Sequence, residues 1–76
     1  MSGETFRKLR TASGVTITEI SRRTGISKVR ISLWEQGLTR MWPHELESLE
    51  KTIVGMAAEK RDQIVVVLGD VGGVRV

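Results

Sequence analysis

Cysteine is missing from this chain of 76 residues. Its absence excludes a disulfide staple and any cysteine-based metal site, and it fits a reducing cytoplasm. Long apolar runs are missing as well. The longest, Ile64 to Leu68, is five residues, against the about 20 that a membrane-spanning helix needs. The opening stretch "MSGETFRKLR" has no apolar central region, so no signal peptide is expected. There is a single histidine, His44. No second ligand stands at helical spacing from it, so it is read as structural and no metal is expected. No Ser/His/Asp set can be assembled, and Glu45, Glu47 and Glu50 read as an acidic helical face, not a catalytic pair. The glycines of "GDVGGV" do not lie between a strand and a helix, so they carry no nucleotide-binding signal. The expectation is a non-enzyme without a cofactor.

What the chain does hold is basic charge, unevenly placed. Residues 1–43 carry eight bases against three acids, net +5, while residues 44–76 carry four bases against six acids, net −2. The N-terminal part is therefore the candidate surface for an anionic polymer. By itself the charge favours the plainer reading, a set of solvated helix faces. The length allows one domain near the lower limit for a self-sufficient core, which leaves room for a partner subunit.

The local pattern is helical throughout. Ser2-Gly3 precedes a first helix, Glu4 to about Ala12, with Phe6 and Leu9 on one face, and Gly14 follows its end. Thr16-Ile17-Thr18-Glu19 reads as a capping box at the start of a second helix, with Ile20 inward and Arg22 and Arg23 outward. Gly25 supplies the positive φ of a sharp reversal, Ile26 plugs the angle, and Ser27 caps a third helix whose inward positions are Ile31 and Trp34. Gly37 stops that helix. Pro43 fits the first position of a fourth, with Met41 and Leu46 spaced as a hydrophobic staple. An apolar period then runs from Leu46 through Leu49, Ile53 and Met56 to Leu68, predicting one helix from about His44 to Leu68, with Gly55 weakening it by about 1 kcal/mol. Ile64 to Val67 would also suit a buried strand, but the helical period carries through. A frayed tail is expected at 69–76.

The stretch "TITEISRRTGISKVRISLWEQG" is thus two helices joined by a tight glycine turn, a helix-turn-helix. In that geometry the first of the pair, Ile17 to Thr24, crosses the sugar-phosphate backbone. The second, Lys28 to Gln36, lies in the major groove and offers its N-terminal residues to base edges. Ile20, Ile26, Ile31 and Trp34 fix the angle and leave Ser27 to Arg30 for a ligand. Small Ser21 and the outward bases separate this reading from a helical hairpin that merely packs.

These residues carry a resemblance. "LRTASGVTITEISRRTGISKVRISLWEQG" resembles the Cro/CI-type, or XRE, helix-turn-helix family of phage and bacterial repressors. The likeness extends from Phe6 to about Ile53 and is most specific at Leu9-Arg10, Gly14-Val15-Thr16, Glu19-Ile20, Gly25-Ile26-Ser27, Ile31-Ser32 and Trp34-Glu35-Gln36-Gly37. It implies an all-α domain of four to five helices, here with a long C-terminal helix replacing the family's fourth and fifth. It implies a dimer on a palindromic operator, working in a bacterial cytoplasm or nucleoid. It further implies that Arg10 and Glu35 form a partly buried salt bridge. Ile17 departs from the family's glutamine, which contacts phosphate and braces the third helix; Thr16 or Thr18 is expected to take the phosphate contact instead.

The resulting site expectations divide by role. Base contacts fall on Ser27, Lys28, Val29, Arg30, Ser32 and Leu33. Lys28 can donate to guanine O6 and N7, and Val29 can touch a thymine methyl. Arg30 reads a guanine or clamps a phosphate, Ser32 meets a base or the backbone, and Leu33 meets a methyl or a partner subunit. Phosphate contacts fall on Thr16, Thr18, Arg22, Arg23, Gln36, Thr39 and Arg40. Trp42 is read as packing. Ile53, Met56, Ile64, Val65 and Leu68 are expected to cover a homodimer or partner interface. The functional reading is a sequence-specific regulator binding double-stranded DNA, a phage or mobile-element repressor. The alternatives are an antitoxin whose C-terminal half grips a toxin, or an adaptor that keeps the fold without binding DNA.

Overall fold

A computed structural model describes the backbone of residues 1–75 and the side chains of residues 1–60. Within that range the chain is helical, with four helices: α1 Gly3–Ala12, α2 Ile17–Thr24, α3 Lys28–Glu35 and α4 Pro43–Arg75. Each start has a local cause. The Ser2 hydroxyl accepts from the Thr5 amide at 3.1 Å. Thr16 and Glu19 complete a reciprocal capping box: the Thr16 hydroxyl accepts from the Glu19 amide at 3.1 Å, and the Thr16 amide donates to Glu19 Oε1 at 3.2 Å. Ser27 accepts from the Arg30 amide at 3.2 Å. Pro43 opens α4 where an amide would have no helical partner. The helix passes through Ile64 to Leu68 without a strand and beyond the Leu68 limit suggested by the apolar period.

One core joins all four helices. Phe6, Ile20, Ile31, Leu49, Ile53 and Met56 are fully enclosed, and Val15, Ile26, Trp34 and Met41 are buried around them. Side chains of this size stabilise by about 1.5–3 kcal/mol each when removed from water. Phe6 and Trp34 meet as a tilted aromatic pair with ring centroids 5.0 Å apart. Leu46 packs on the cluster and Met41 belongs to it, so both ends of the expected staple turn inward.

The expected interface residues Ile53 and Met56 need correction. They are 0% and 2% exposed inside the protomer's own core and are not available to a partner. The apolar stripe of α4 is covered by α1 and α2, against which the helix packs. Ile64, Val65 and Leu68, the rest of that set, lie outside the described side chains.

Gly3 is a core residue in effect. A Cβ there would stand 2.1 Å from the Trp34 carbonyl oxygen, so the first turn of α1 presses on the end of α3 with no room for a side chain.

Candidate nucleic-acid interface

The turn between α2 and α3 is built so that its polar groups are satisfied locally. Gly25 takes φ 76°, a left-handed conformation that other residues adopt at a cost of about 1–2 kcal/mol. Its amide donates to the Ser21 carbonyl at 2.8 Å. The Ser21 hydroxyl donates to the Ile26 carbonyl at 2.6 Å. The Thr24 hydroxyl donates to the Ile20 carbonyl at 2.8 Å and accepts from the Ile26 amide at 3.2 Å. Ile26 is buried in the angle. The short Ser21 side chain is therefore a fastener as well as a small residue.

The far end of α3 is fixed by Arg10 and Glu35. Arg10 Nε and Nη2 donate to the two Glu35 carboxylate oxygens at 2.8 and 2.9 Å, and Nη1 donates to the Val15 carbonyl at 3.0 Å. Their side chains are 12% and 3% exposed. Every charged atom of the carboxylate is answered, so the acid adds no free negative charge to this face. Removal of one partner from such a pair costs about 3–5 kcal/mol, because the other charge is left buried.

Between these two fixed ends, the outward side of α3 is open. Ser27, Lys28 and Val29 are exposed, Val29 by 68%. Ser32 and Leu33 follow one turn later and are half-buried. The Gln36 side-chain amide donates to the Ser32 hydroxyl at 3.0 Å, so these two expected contacts are coupled. Ile17, Lys28, Val29, Ser32 and Leu33 line one open groove. Ile17 and Ser32 also border a second cleft with Arg7, Arg10, Glu35 and Gln36.

Arg30 is placed otherwise than its position in the sequence suggested. Its guanidinium makes a two-pronged pair with Glu45 at the start of α4: Nη2 donates to Oε1 at 2.9 Å, and Nη1 to Oε2. Glu45 Oε1 also accepts from the Trp42 amide at 2.9 Å, which caps α4. The Arg30 guanidinium, with the Trp42 amide behind it, holds the Glu45 carboxyl down to about 2. Glu45 is therefore no part of a solvated acidic face. Glu50 binds the Met1 ammonium, and Glu47 pairs with Lys51 one turn on.

The phosphate candidates fall into two groups. Arg22 and Arg40 are exposed with no acidic partner among the described residues, and Thr18 is exposed as well. Arg23 instead faces α4, where it pairs with Glu59 at 3.2 Å. The Thr16 hydroxyl is occupied by the capping box, donating to Glu19 Oε1 at 3.1 Å. Backbone and hydroxyl donors of Thr16 lower the Glu19 carboxyl below its ordinary range. Gln36 is exposed and Thr39 half-buried. Trp42 is 67% exposed and Leu38 68%, so Trp42 does not pack. Arg7, exposed on α1, lines the cleft beside Ile17, and no local sequence signal marks it, because the rest of that cleft comes mainly from α2 and α3.

A glycine-turned helix pair, clamped at both ends and open along the second helix, defines a helix-turn-helix DNA-binding protein of the Cro/CI type. The chain belongs to the helix-turn-helix domain family, whose sequence profile matches residues 3–62. No curated protein and no solved structure gives a significant match. Among the described residues no helix is long and apolar enough to cross a membrane.

Proposed function

We propose that the protein is a sequence-specific transcriptional regulator, a repressor of phage or mobile-element type, that binds a palindromic operator as a homodimer. The observation that carries the reading is the exposed first turn of α3, with Lys28 and Val29 unencumbered while both ends of the helix are fixed. Rigid support of an outward helix tip is what base-edge recognition in the major groove requires. Lys28 is the donor to guanine, and Val29 and Leu33 are the apolar readers. Arg22, Arg40, Thr18 and Gln36 hold phosphates. Arg7 serves the phosphate beside the start of α2, where Ile17 has no donor. Arg30 acts chiefly as a strut to Glu45.

Phosphate contacts supply most of the affinity and make it steeply salt-dependent. Two α3 helices related by a two-fold axis would sit about 34 Å apart along the duplex. Dimerisation then rests on the C-terminal part of α4, where Ile64, Val65 and Leu68 recur at helical spacing in the sequence.

Selection of bound sites from a pool of random duplex DNA tests this reading. A palindrome with half-sites one helical turn apart is the expected product. Recovery of unrelated sequences at low ionic strength would overturn it.

A further inference from the structure

Arg30 stands in the first turn of α3, between Val29, which is 68% exposed, and the buried Ile31. Both of its ends are held. Its amide donates to the Ser27 hydroxyl at 3.2 Å, and its guanidinium takes both carboxylate oxygens of Glu45. The two sides of that pair are unequal. The Arg30 side chain is 40% exposed and the Glu45 side chain 11%. Glu45 is also held from behind, since its Oε1 accepts from the Trp42 amide at 2.9 Å. The carboxylate therefore belongs to the joint between α3 and α4, and the arginine is the member that reaches toward solvent. Lys28, two residues earlier, is exposed and has no acidic partner among the described residues.

We propose, on the DNA-binding reading above, that Glu45 is a positioning residue for specificity: it withholds Arg30 from bases and phosphates, so that the open turn of α3 meets the duplex with one free cation, Lys28, and not two. Departure of Arg30 would leave a nearly enclosed carboxylate without its counter-charge, which is costly. A phosphate offers in return a single contact screened by salt. The pair with Glu45 prevails, and being neutral as a whole it neither draws nor repels the backbone. Restraint matters here because arginine binds both groups that a duplex displays. Its planar fork fits guanine O6 and N7 as well as a phosphate. Freed at the tip, it would accept guanines that Lys28 and its apolar neighbours do not select, and phosphates that carry no sequence. Glu45 thus adds specificity by exclusion, without touching the duplex.

The test uses the full chain as the parent, as Glu45→Gln, and as Glu45→Gln combined with Arg30→Gln. A glutamine carbonyl can still accept from the Trp42 amide, so the cap is kept while the charge is lost. Each protein is put through selection from random duplex DNA and through titration of an unrelated duplex between about 50 and 200 mM salt. Glu45→Gln is expected to gain one of two things. Either the slope of log affinity against log salt steepens by about 0.9 per protomer, the value for one more phosphate, or the selected half-site acquires a guanine. That guanine should be preferred by roughly 5- to 150-fold, the factor for a good two-pronged base contact. The double variant should lose the gain. Glu47→Gln, which removes an exposed acid of α4 paired only with Lys51, should show neither effect.

A Glu45→Gln protein with the parent's slope and the parent's selected site overturns the proposal. So does a gain that persists without Arg30 or that Glu47→Gln reproduces. The guanidinium NMR signals of Arg30 in the parent supply a check that depends on no variant's stability. Signals unchanged when an unrelated duplex is bound keep Arg30 on Glu45, and signals that move to those of a DNA-bound arginine overturn the proposal. A parent that binds no duplex at all removes the DNA-binding reading, and the proposal with it.

Discussion

Glu45 is the residue whose role changes most between sequence and structure. As one of three acids near the start of α4 it reads as solvated. In the fold it caps the helix at Trp42 and binds Arg30 with both oxygens. Its carboxyl sits at about 2, well below the usual 4.5. A carboxylate with a depressed folded-state pKa lends stability that is complete above its unfolded pKa and is lost as pH falls through the folded value. Glu45→Gln is therefore expected to lower the Tm near neutral pH. The gap from the parent should narrow between about pH 4.5 and pH 2, followed by circular dichroism. A gap that stays constant down to pH 2 would remove the Arg30–Glu45 pair from the account. Gly3 makes a second residue-scale prediction. Its missing Cβ is what lets α1 touch Trp34, so Gly3→Ala must displace backbone, not a flexible side chain. A loss of about 1–3 kcal/mol in urea denaturation is expected, the range for overpacking a closed interior. Neither role is visible in the sequence. Glu45 meets Arg30 across 15 positions, and Gly3 meets Trp34 across 31, so no local pattern links them.

Helix starts and turns were legible because their causes are local. Ser2, the Thr16–Glu19 box, Gly25, Ser27 and Pro43 each act within a few residues of themselves, and each stands where its side-chain chemistry requires. Apolar spacing also located the inward faces of α1, α2 and α3. It did not say what covers them. The period through Ile53 and Met56 marks a buried face correctly, but α1 and α2 supply the cover that the sequence reading assigned to a partner. The same limit applies to the two arginines that end α2. Their adjacency suggests one role, yet a helix turns about 100° per residue and sends them to different surfaces. Arg23 reaches Glu59 on α4, and Arg22 stays open. Arg22→Ala is expected to weaken DNA binding uniformly across sequences and to reduce the slope of log affinity against log salt by about one. Arg23→Ala should leave that slope unchanged and cost about 0.2–1 kcal/mol of stability, since its pair is half-exposed and screened. Equal slopes for the two variants would place both arginines on phosphate.

At the scale of the whole molecule, charge and rigidity are arranged for one purpose. The excess of base lies in residues 1–43, which form α1 to α3 and the loop beyond. Among the described residues the acids of α4 pair with Arg23, Arg30, Lys51 and the Met1 ammonium, and Lys60 of α4 pairs with Glu19 on α2. All but the Glu47–Lys51 pair, which lies within the helix, tie α4 to the rest of the molecule, and Lys28, Arg22 and Arg40 are left as cations without an acidic neighbour among the described residues. The central claim is that the open tip of α3 reads base edges, and Lys28 carries it most directly. The decisive measurement compares the affinity of the parent and of Lys28→Ala for the selected operator and for every single-base variant of it. The account predicts a loss of about 1–3 kcal/mol on the operator, with discrimination relaxed at one base pair per half-site and kept elsewhere. A loss of the same size on every sequence would make Lys28 a phosphate contact and contradict the claim.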